Sequence, residues 1–153
     1  MSQRFSTDVL IIGGGAAGLA AALHLADTAR VTVLAKGEPS SGSSFWAQGG
    51  IAAVLDDADS FAFHEADTVK AGADLCDIET VRLIVREAPD VVKELSNWGV
   101  DFDKEDNQLH LTMEGGHSHR RVAHVADATG REITQKLSER VLDHHNIEIF
   151  HDR

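Results

Sequence analysis

The chain has 153 residues, 42% of them hydrophobic, and 14 Lys and Arg residues against 25 Asp and Glu residues give a formal charge of −11. This composition allows one packed core, and the acidic balance disfavours nucleic acid and anionic membranes and favours a small molecule as partner. The single cysteine, Cys76, excludes an intramolecular disulfide and a cysteine-based metal cluster. We therefore expect one domain, or part of one, located in the cytoplasm.

Near the start of the chain, an apolar run is followed directly by three glycines. Residues 9–12 are β-branched or leucine, and Gly13, Gly15 and Gly18 follow with the spacing G-x-G-x-x-G. With a second apolar run at residues 31–34, this pattern predicts a βαβ unit whose helix N-terminus binds the pyrophosphate of a dinucleotide. Residues 9–26 are as long as a membrane span or a signal-peptide core, but the glycines and the polar residue His24 argue against both.

The stretch after the second predicted strand offers further ligand-binding groups. Lys36 stands near the place where nicotinamide-binding units usually carry an acidic residue, which weakens an NAD interpretation. Lys36 either contacts a phosphate or ribose or is a solvated side chain. Residues 40–51 form a predicted loop rich in hydroxyls and glycine. Because exposing Phe45, Trp46 and Ile51 together would be costly, we favour a loop folded against a ligand or a second domain over a flexible surface loop.

The middle of the chain predicts helices without evident chemistry. From Asp59 to Gly72, a polar cap, helix-forming residues and a terminal glycine predict a helix on which His64 is a partly exposed or satisfied structural residue. Asp77 is expected to cap a second helix, and Pro89 to open a third. The apolar positions expected to face the core are Ile78, Val81, Ile84, Val85, Ala88, Val91, Val92, Leu95 and Trp98.

Residues 112–121 are a second stretch whose side chains could bind a ligand. Short strands are predicted before it, at residues 100–102 and 109–111 around an acidic turn at 103–107. Glu114, two histidines and two arginines lie here beside a double glycine, and such groups can pair with carboxylates, ammonium groups or flavin. A metal site is disfavoured, because His-x-His without cysteine is nonspecific and the arginines would repel a cation. The ligands considered for it are His117, His119, His124 and Asp127.

The last part of the chain returns to the pattern of its beginning. Residues 129–132 predict a capping box that opens an amphipathic helix with Ile133, Leu137 and Val141 on one face. Residues 147–150 predict another strand. The predicted fold class is therefore α/β, a Rossmann-like nucleotide-binding domain with a parallel sheet and inserted helices, which is incomplete because the chain stops in the expected middle of the sheet.

The ordered motifs resemble those of a known group of flavoproteins. Residues 13–18, 47–51, 114–121 and 126–130 look like the superfamily of succinate dehydrogenase, fumarate reductase and L-aspartate oxidase, and most like the L-aspartate oxidase family. The resemblance covers essentially the whole chain. It implies an FAD enzyme that oxidises L-aspartate to iminoaspartate for quinolinate and NAD synthesis, with oxygen or fumarate as electron acceptor and hand-over to quinolinate synthase.

The resemblance also implies the extent of the protein. Residues 1–153 would be the N-terminal part of an FAD-binding domain. The catalytic residues, a capping domain and a helical C-terminal domain would lie beyond Arg153. Two other interpretations stay open. The protein could be a soluble fumarate reductase with non-covalent flavin, or a flavin-binding module with no enzymatic activity of its own.

Specific roles follow from the same resemblance. The respiratory dehydrogenases carry the flavin covalently on a histidine five residues before the Gln of the Gln-Gly-Gly motif, and that residue is Ser43 here, which implies non-covalent FAD. Glu114 stands where fumarate reductases have phenylalanine, which implies a contact with the α-ammonium group of the substrate; the alternative is a solvated turn residue. The residues implied to bind the cofactor are Gly13, Gly14, Gly15, Ala16, Ala17, Gly18, Lys36, Ser43, Ser44, Phe45, Trp46, Ala47, Gln48, Gly49 and Gly50.

Overall fold

The structure, a computed structural model, describes residues 6–38 and 41–151. Ser40, the first residue of the predicted loop, lies outside the described residues. The chain divides into two compact units, one formed by residues up to Ala47 and from Gly130 onward, the other by Gln48–Thr129. In chain order the elements are β1 (Val9–Ile12), α1 (Ala16–Ala26), β2 (Val31–Leu34), α2 (Ser43–Trp46), β3 (Ile51–Ala52), α3 (Phe61–Ala71), α4 (Ile78–Asn97), β4 (Lys104–Glu105), β5 (Gln108–Leu109), β6 (Leu111–Thr112), β7 (Val122–Ala123), α5 (Thr129–Asp143) and β8 (Ile147–Phe150).

The first unit contains a parallel sheet with the strand order β1-β2-β8. Val9 pairs with Val31, and Val31 pairs with Ile147. Helix α1 connects β1 to β2, which confirms the predicted βαβ unit, and β8 confirms the strand predicted at residues 147–150. None of the described helices is both long and apolar enough to cross a membrane. The buried apolar residues of this unit include Leu19, Ala22, Ala26, Val31, Val33, Leu137 and Val141.

The second unit contains an antiparallel sheet that the sequence pattern does not predict. Its strand order is β3-β7-β6, with Ile51 opposite Ala123 and Leu111 also opposite Ala123. These strands have two residues each, too few for the alternation of apolar and polar residues that marks a strand. Helices α3 and α4 belong to the same unit.

Helix α4 corrects the prediction of two helices separated at Pro89. The helix runs from Ile78 to Asn97 with Pro89 inside it, and the predicted cap is confirmed because the Asp77 carboxylate accepts from the Thr80 N–H at 2.8 Å. Proline in a helix interior costs about 3 kcal/mol. The burial of an apolar stripe that continues past the proline offsets this cost, although Ile78, Ile84 and Val91 are exposed and Trp98 is half-buried. The buried members of the stripe are Val81, Val85, Ala88, Val92 and Leu95.

A two-stranded hairpin corrects the strand predicted at residues 100–102. The paired strands are β4 and β5, and only the two residues between them form the turn. Asp106 and Asn107 have φ angles of 51° and 66°, and two successive positive φ angles are typical of a type I′ turn, which suits a two-residue hairpin. Phe102 is buried outside any strand.

The polar cap predicted for α3 is confirmed, whereas the beginning of α5 differs from the prediction. Ser60 caps α3, with its hydroxyl accepting from the Phe63 N–H at 3.2 Å. The Thr129 hydroxyl accepts from the Val125 N–H at 3.0 Å, and Thr129 is itself the first residue of α5. Its oxygen therefore ties the preceding loop to the helix, in place of the hydrogen bond that the predicted capping box requires.

A buried arginine joins distant parts of the second unit. Arg121 is fully buried, and its guanidinium donates two hydrogen bonds of 2.8 Å to the Asp59 carboxylate. A third hydrogen bond of 2.7 Å reaches Asp67 on α3. Burial by itself would raise the pKa of both carboxyl groups, but the hydrogen bonds that they accept and the positive charge of Arg121 hold each pKa below its usual range. Both carboxylates therefore stay ionised at neutral pH.

We expect Arg121→Met to lower the free energy of unfolding by about 3–5 kcal/mol, because removing one partner leaves the other charges buried without compensation. The measurement is urea denaturation followed by circular dichroism. Arg120→Met is the matched control, since Arg120 is exposed and should change stability by less than about 0.5 kcal/mol. Equal effects of the two substitutions would contradict the structural role of Arg121.

Acid should also weaken this network. A carboxyl group whose pKa is lower in the folded state contributes stability above its unfolded pKa of about 4, and this contribution is lost as the pH falls further. We therefore expect the unfolding midpoint in urea to fall between about pH 5 and pH 3, more steeply in the wild type than in Arg121→Met. Parallel curves for the two proteins would contradict the pKa shifts of Asp59 and Asp67.

Candidate functional site

The glycine turn joins β1 to α1 as the sequence predicts. Gly13 has a φ angle of +122°, a conformation that favours glycine, and its N–H donates to the carbonyl of Leu34 at 2.9 Å. A Cβ atom at position 18 would overlap the carbonyl oxygen of Gly13. Glycine at these two positions therefore lets α1 begin directly against the end of β1.

The N-terminus of α1 has the properties of an anion site. Its cap residue, Gly15, has no side chain that could accept a hydrogen bond from the N–H groups of the first turn. The first N–H groups of a helix lack carbonyl partners within the helix, and the helix dipole adds a positive potential there. The Ser44 hydroxyl accepts from the N–H of Ala16 at 3.3 Å. A pyrophosphate would find backbone donors and a favourable potential at this point.

A groove of about 490 Å³ lies along the glycine turn. A Cβ atom at position 14 would lie 2.8 Å from the Cβ of Ala35, so glycine permits the close approach of the turn to the end of β2. Lys36 is exposed and contributes a positive charge, while Ala17 on α1 is exposed outside this lining. The glycine wall, the helix N-terminus and the lysine fit the pyrophosphate of FAD. The lining consists of Gly13, Gly14, Gly15, Ala35, Lys36, Gly37, Glu38, Ser41 and Gly42.

The predicted flavin-lining loop is partly helical. Residues Ser43–Trp46 form α2, which corrects the prediction of an irregular loop. Phe45 lies beneath the guanidinium of Arg131, 5.7 Å from the ring centroid, and Trp46 is 67% exposed. The N–H of Gly130 donates to the carbonyl of Ala47 at 2.9 Å, and no Cβ would fit at Gly130. The start of α5 is thereby fixed to the end of α2.

The remaining predicted cofactor residues belong to the second unit. Gln48, Gly49 and Gly50 are exposed. A Cβ atom at position 50 would overlap the carbonyl oxygen of Ala123, so Gly50 lies directly against β7. The predicted stretch from Ser43 to Gly50 is thus divided between the two units.

The Glu114 loop, residues 113–120, connects β6 to β7. Glu114 is exposed, and its carbonyl accepts from the His117 N–H at 3.2 Å, closing a turn in which Gly116 has a φ angle of +91°. Arg120 is also exposed, with Nη1 at 3.4 Å from the carbonyl of Leu111. The loop therefore presents one carboxylate and one guanidinium to a ligand.

The histidines weighed as metal ligands lie in two different environments. Nδ1 of His117 is 3.2 Å from the Arg121 guanidinium, and His119 stacks on Phe63 with ring centroids 4.8 Å apart. His124 contacts the His110 ring nitrogen at 3.2 Å, and Asp127 is exposed. Within residues 6–38 and 41–151, no three His, Cys, Asp or Glu side chains are grouped to hold a metal ion.

Sequence reasoning missed Asp59 and Asp67 as partners of the Glu114 loop. Asp59 precedes α3 and Asp67 lies on it, and the sequence predicts this helix to have no role in chemistry. Ser118 donates to Asp67 through its N–H at 2.8 Å and through its hydroxyl at 2.7 Å. Asp59, Phe63 and Asp67 recur every four residues, the spacing of one helix face, and this was the available signal.

An apolar groove of about 750 Å³ in the second unit was also not predicted. It is lined mainly by apolar residues of α4, including the exposed Ile84 and Val91, and by His64. His64 is 5% exposed, and its Nδ1 has no hydrogen-bond partner within the described part of the chain, so the prediction of a satisfied or partly exposed histidine is wrong. Burial, together with the charge of Arg121, lowers the pKa of His64 and favours its neutral form.

Comparison with known sequences finds relatives that match nearly the whole chain. The chain is 50% identical over 149 residues to L-aspartate oxidase of Vibrio cholerae, a match that covers 94% of this chain and 28% of that protein. It is 49% identical over 144 residues to the chloroplastic L-aspartate oxidase of Arabidopsis thaliana, covering 94% of this chain and 22% of that protein. The chain thus spans less than a third of the length of these relatives.

Solved structures and a family pattern agree on the fold. A mutant of Escherichia coli quinol fumarate reductase FrdA superposes with a TM-score of 0.93 at 32% identity, covering 98% of this chain and 26% of that chain. The FAD binding domain family matches residues 8–153. Since this match spans nearly the whole sequence, the chain belongs to the FAD binding domain family, and its cofactor is FAD.

Proposed function

We propose that this chain is the FAD-binding part of an enzyme that oxidises L-aspartate to iminoaspartate. The observation that carries the proposal is the 50% identity to an L-aspartate oxidase over 149 residues. Oxygen or fumarate would accept the electrons, and the iminoaspartate would pass to quinolinate synthase in NAD synthesis. The single cysteine supports the cytoplasm as its location.

The groove of the first unit supports a specific role for its residues. The turn at Gly13–Gly15 and the first N–H groups of α1 would bind the pyrophosphate, and Lys36 would offset its negative charge. FAD, when bound, supplies the acceptor for the two electrons of the substrate Cα–H bond. Because the donors at the turn are backbone groups, this part of the site does not titrate near neutral pH.

Ser43 supports non-covalent binding of the flavin. It is the first residue of α2 and is exposed. Its hydroxyl offers no imidazole nitrogen for the covalent link found in the respiratory dehydrogenases. Ordinary contacts must therefore hold the cofactor, and denaturation should release it.

We expect acid precipitation of the flavin-loaded protein to leave the yellow colour in the supernatant. The measurement is the absorbance of the supernatant, together with flavin fluorescence of the denatured band on a gel. Ser43→Ala is the control variant and should release its flavin in the same way, since the serine forms no covalent bond to flavin. Flavin that stays with the pellet and with the denatured band would contradict non-covalent binding.

Glu114 supports an amino acid as the substrate. L-Aspartate differs from succinate by one ammonium group, and a carboxylate aimed at that group is the most direct way to prefer the amino acid. The Glu114 side chain is exposed on the turn between β6 and β7, so a ligand can reach it. In this proposal Glu114 binds and orients the substrate and transfers no proton.

We expect Glu114→Gln to lower kcat/KM for L-aspartate by about 30-fold or more, because truncating a hydrogen-bonded charge pair costs about 2–5 kcal/mol. Binding of succinate or fumarate should change little, since neither has an ammonium group. The measurement is steady-state kinetics beside inhibitor binding at equal flavin content, on the full-length protein that carries this sequence.

Glu105→Gln is the matched control, because Glu105 is an exposed carboxylate on the hairpin of the same unit. It should leave both ligands unaffected. Equal losses for aspartate and dicarboxylates in Glu114→Gln would mean that Glu114 only supports the fold.

Fumarate reduction is the second candidate function. The TM-score of 0.93 to quinol fumarate reductase FrdA favours it, but the identity to that chain is 32%. Glu114 introduces a negative charge that would repel a dicarboxylate. Measuring aspartate oxidation beside fumarate reduction by a reduced dye, on the same preparation, distinguishes the two activities.

A further inference from the structure

One face of α3 and its cap region contacts the end of the Glu114 loop. Asp59, Phe63 and Asp67 are spaced by four residues and therefore lie along one side. Asp59 contacts Arg121, which directly follows the loop, and Phe63 stacks on His119 with an interplanar angle of 10°. Asp67 is the third contact, and it reaches Ser118.

Asp67 makes the densest of these contacts. Its Oδ2 atom accepts from the Ser118 N–H at 2.8 Å, from the Ser118 hydroxyl at 2.7 Å and from the Arg121 guanidinium at 2.7 Å. Hydrogen bonds to an ionised acceptor are stronger than those between neutral groups. The backbone at Ser118 is therefore fixed to α3, although Ser118 itself is exposed.

The fixed backbone extends toward Glu114 through His117. Nη1 of Arg121 lies 3.2 Å from Nδ1 of His117, and because a guanidinium can only donate, the ring nitrogen accepts. His64 meets the His117 ring edge-on, with centroids 5.8 Å apart. The N–H of His117 in turn donates to the carbonyl of Glu114. A continuous series of contacts thus runs from α3 to the residue proposed to bind the substrate.

We infer that Asp67 and Ser118 are positioning residues that hold the Glu114 loop against α3, so that the exposed Glu114 carboxylate meets the ammonium group of the substrate in one fixed direction. This inference rests on the proposed function for the role of Glu114. A group held in place before binding loses less conformational freedom when the ligand arrives. The hydrogen bonds should therefore improve substrate binding without contacting the substrate.

Ser118→Ala separates positioning from folding. The substitution removes the hydroxyl's hydrogen bond to Asp67 and its contact of 2.9 Å with Nδ1 of His119, but leaves the bonds between Arg121, Asp59 and Asp67 in place. Ser96→Ala is the matched control, because the Ser96 hydroxyl donates to the carbonyl of Val92 on α4 and has no contact with the loop. Both serines are exposed, so neither substitution should prevent folding.

The first measurement is amide hydrogen exchange of the peptide covering residues 113–120. We expect Ser118→Ala and Asp67→Asn to speed exchange in this peptide by about fivefold or more, whereas Ser96→Ala leaves it unchanged. Exchange rates equal to the wild type in both loop variants would overturn the inference. This measurement needs neither substrate nor turnover, so it does not depend on the proposed function.

The second measurement compares ligands on the full-length, flavin-loaded protein. We expect Ser118→Ala to raise KM for L-aspartate by about fivefold, with kcat and succinate binding changed by less than about twofold. Equal weakening of aspartate and succinate would overturn the positioning role. A wild-type protein that neither binds nor oxidises L-aspartate would overturn the proposed function instead, and the exchange rates would still decide whether α3 holds the loop.

Discussion

The second unit depends on the neutralisation of one buried cation. The backbone of Arg121 lies beside the sheet, donating to Thr112 and accepting from the Ala53 N–H at 2.9 Å, while its side chain reaches Asp59 and Asp67. A guanidinium removed from water is stable only if its charge and its donors are all satisfied. This requirement fixes α3, the antiparallel sheet and the end of the Glu114 loop with respect to one another, because each contributes atoms to the same group.

The two candidate sites are therefore built from different kinds of contact. The glycine turn of the first unit presents backbone N–H groups and a helix N-terminus, and its geometry follows from the absence of side chains at Gly13 and Gly18. The Glu114 loop is shaped by side-chain hydrogen bonds to Asp67. Substitutions at the turn should act through steric overlap, and those at the loop through charge and pH.

These differences explain what the sequence could predict. The glycine turn, the Asp77 cap and the strand at residues 147–150 are local patterns, and the sequence predicts all three. The break at Pro89 was wrong because the local cost of proline is smaller than the gain from burying one apolar stripe along α4. The ion pair between Asp59 and Arg121 joins residues 62 positions apart. The spacing of Asp59, Phe63 and Asp67 indicates one side of α3, but it does not indicate which distant residue pairs with them. The positive φ angles at Asp106 and Asn107 define a hairpin whose polar strands carry no apolar signal.

Burial also changes the chemical meaning of the charged stretch at residues 112–121. The sequence of this stretch contains two arginines and two histidines that could bind carboxylates. In the structure, however, Arg121 is fully buried and its charge is already neutralised by two aspartates. His117 directs its Nδ1 atom at that arginine, 3.2 Å from the guanidinium, and so is already engaged within the protein. The charges that a ligand can reach are the exposed Glu114 and Arg120. One negative and one positive group together complement a zwitterion better than a dianion, and this balance exists because the charge of Arg121 is already neutralised by Asp59 and Asp67.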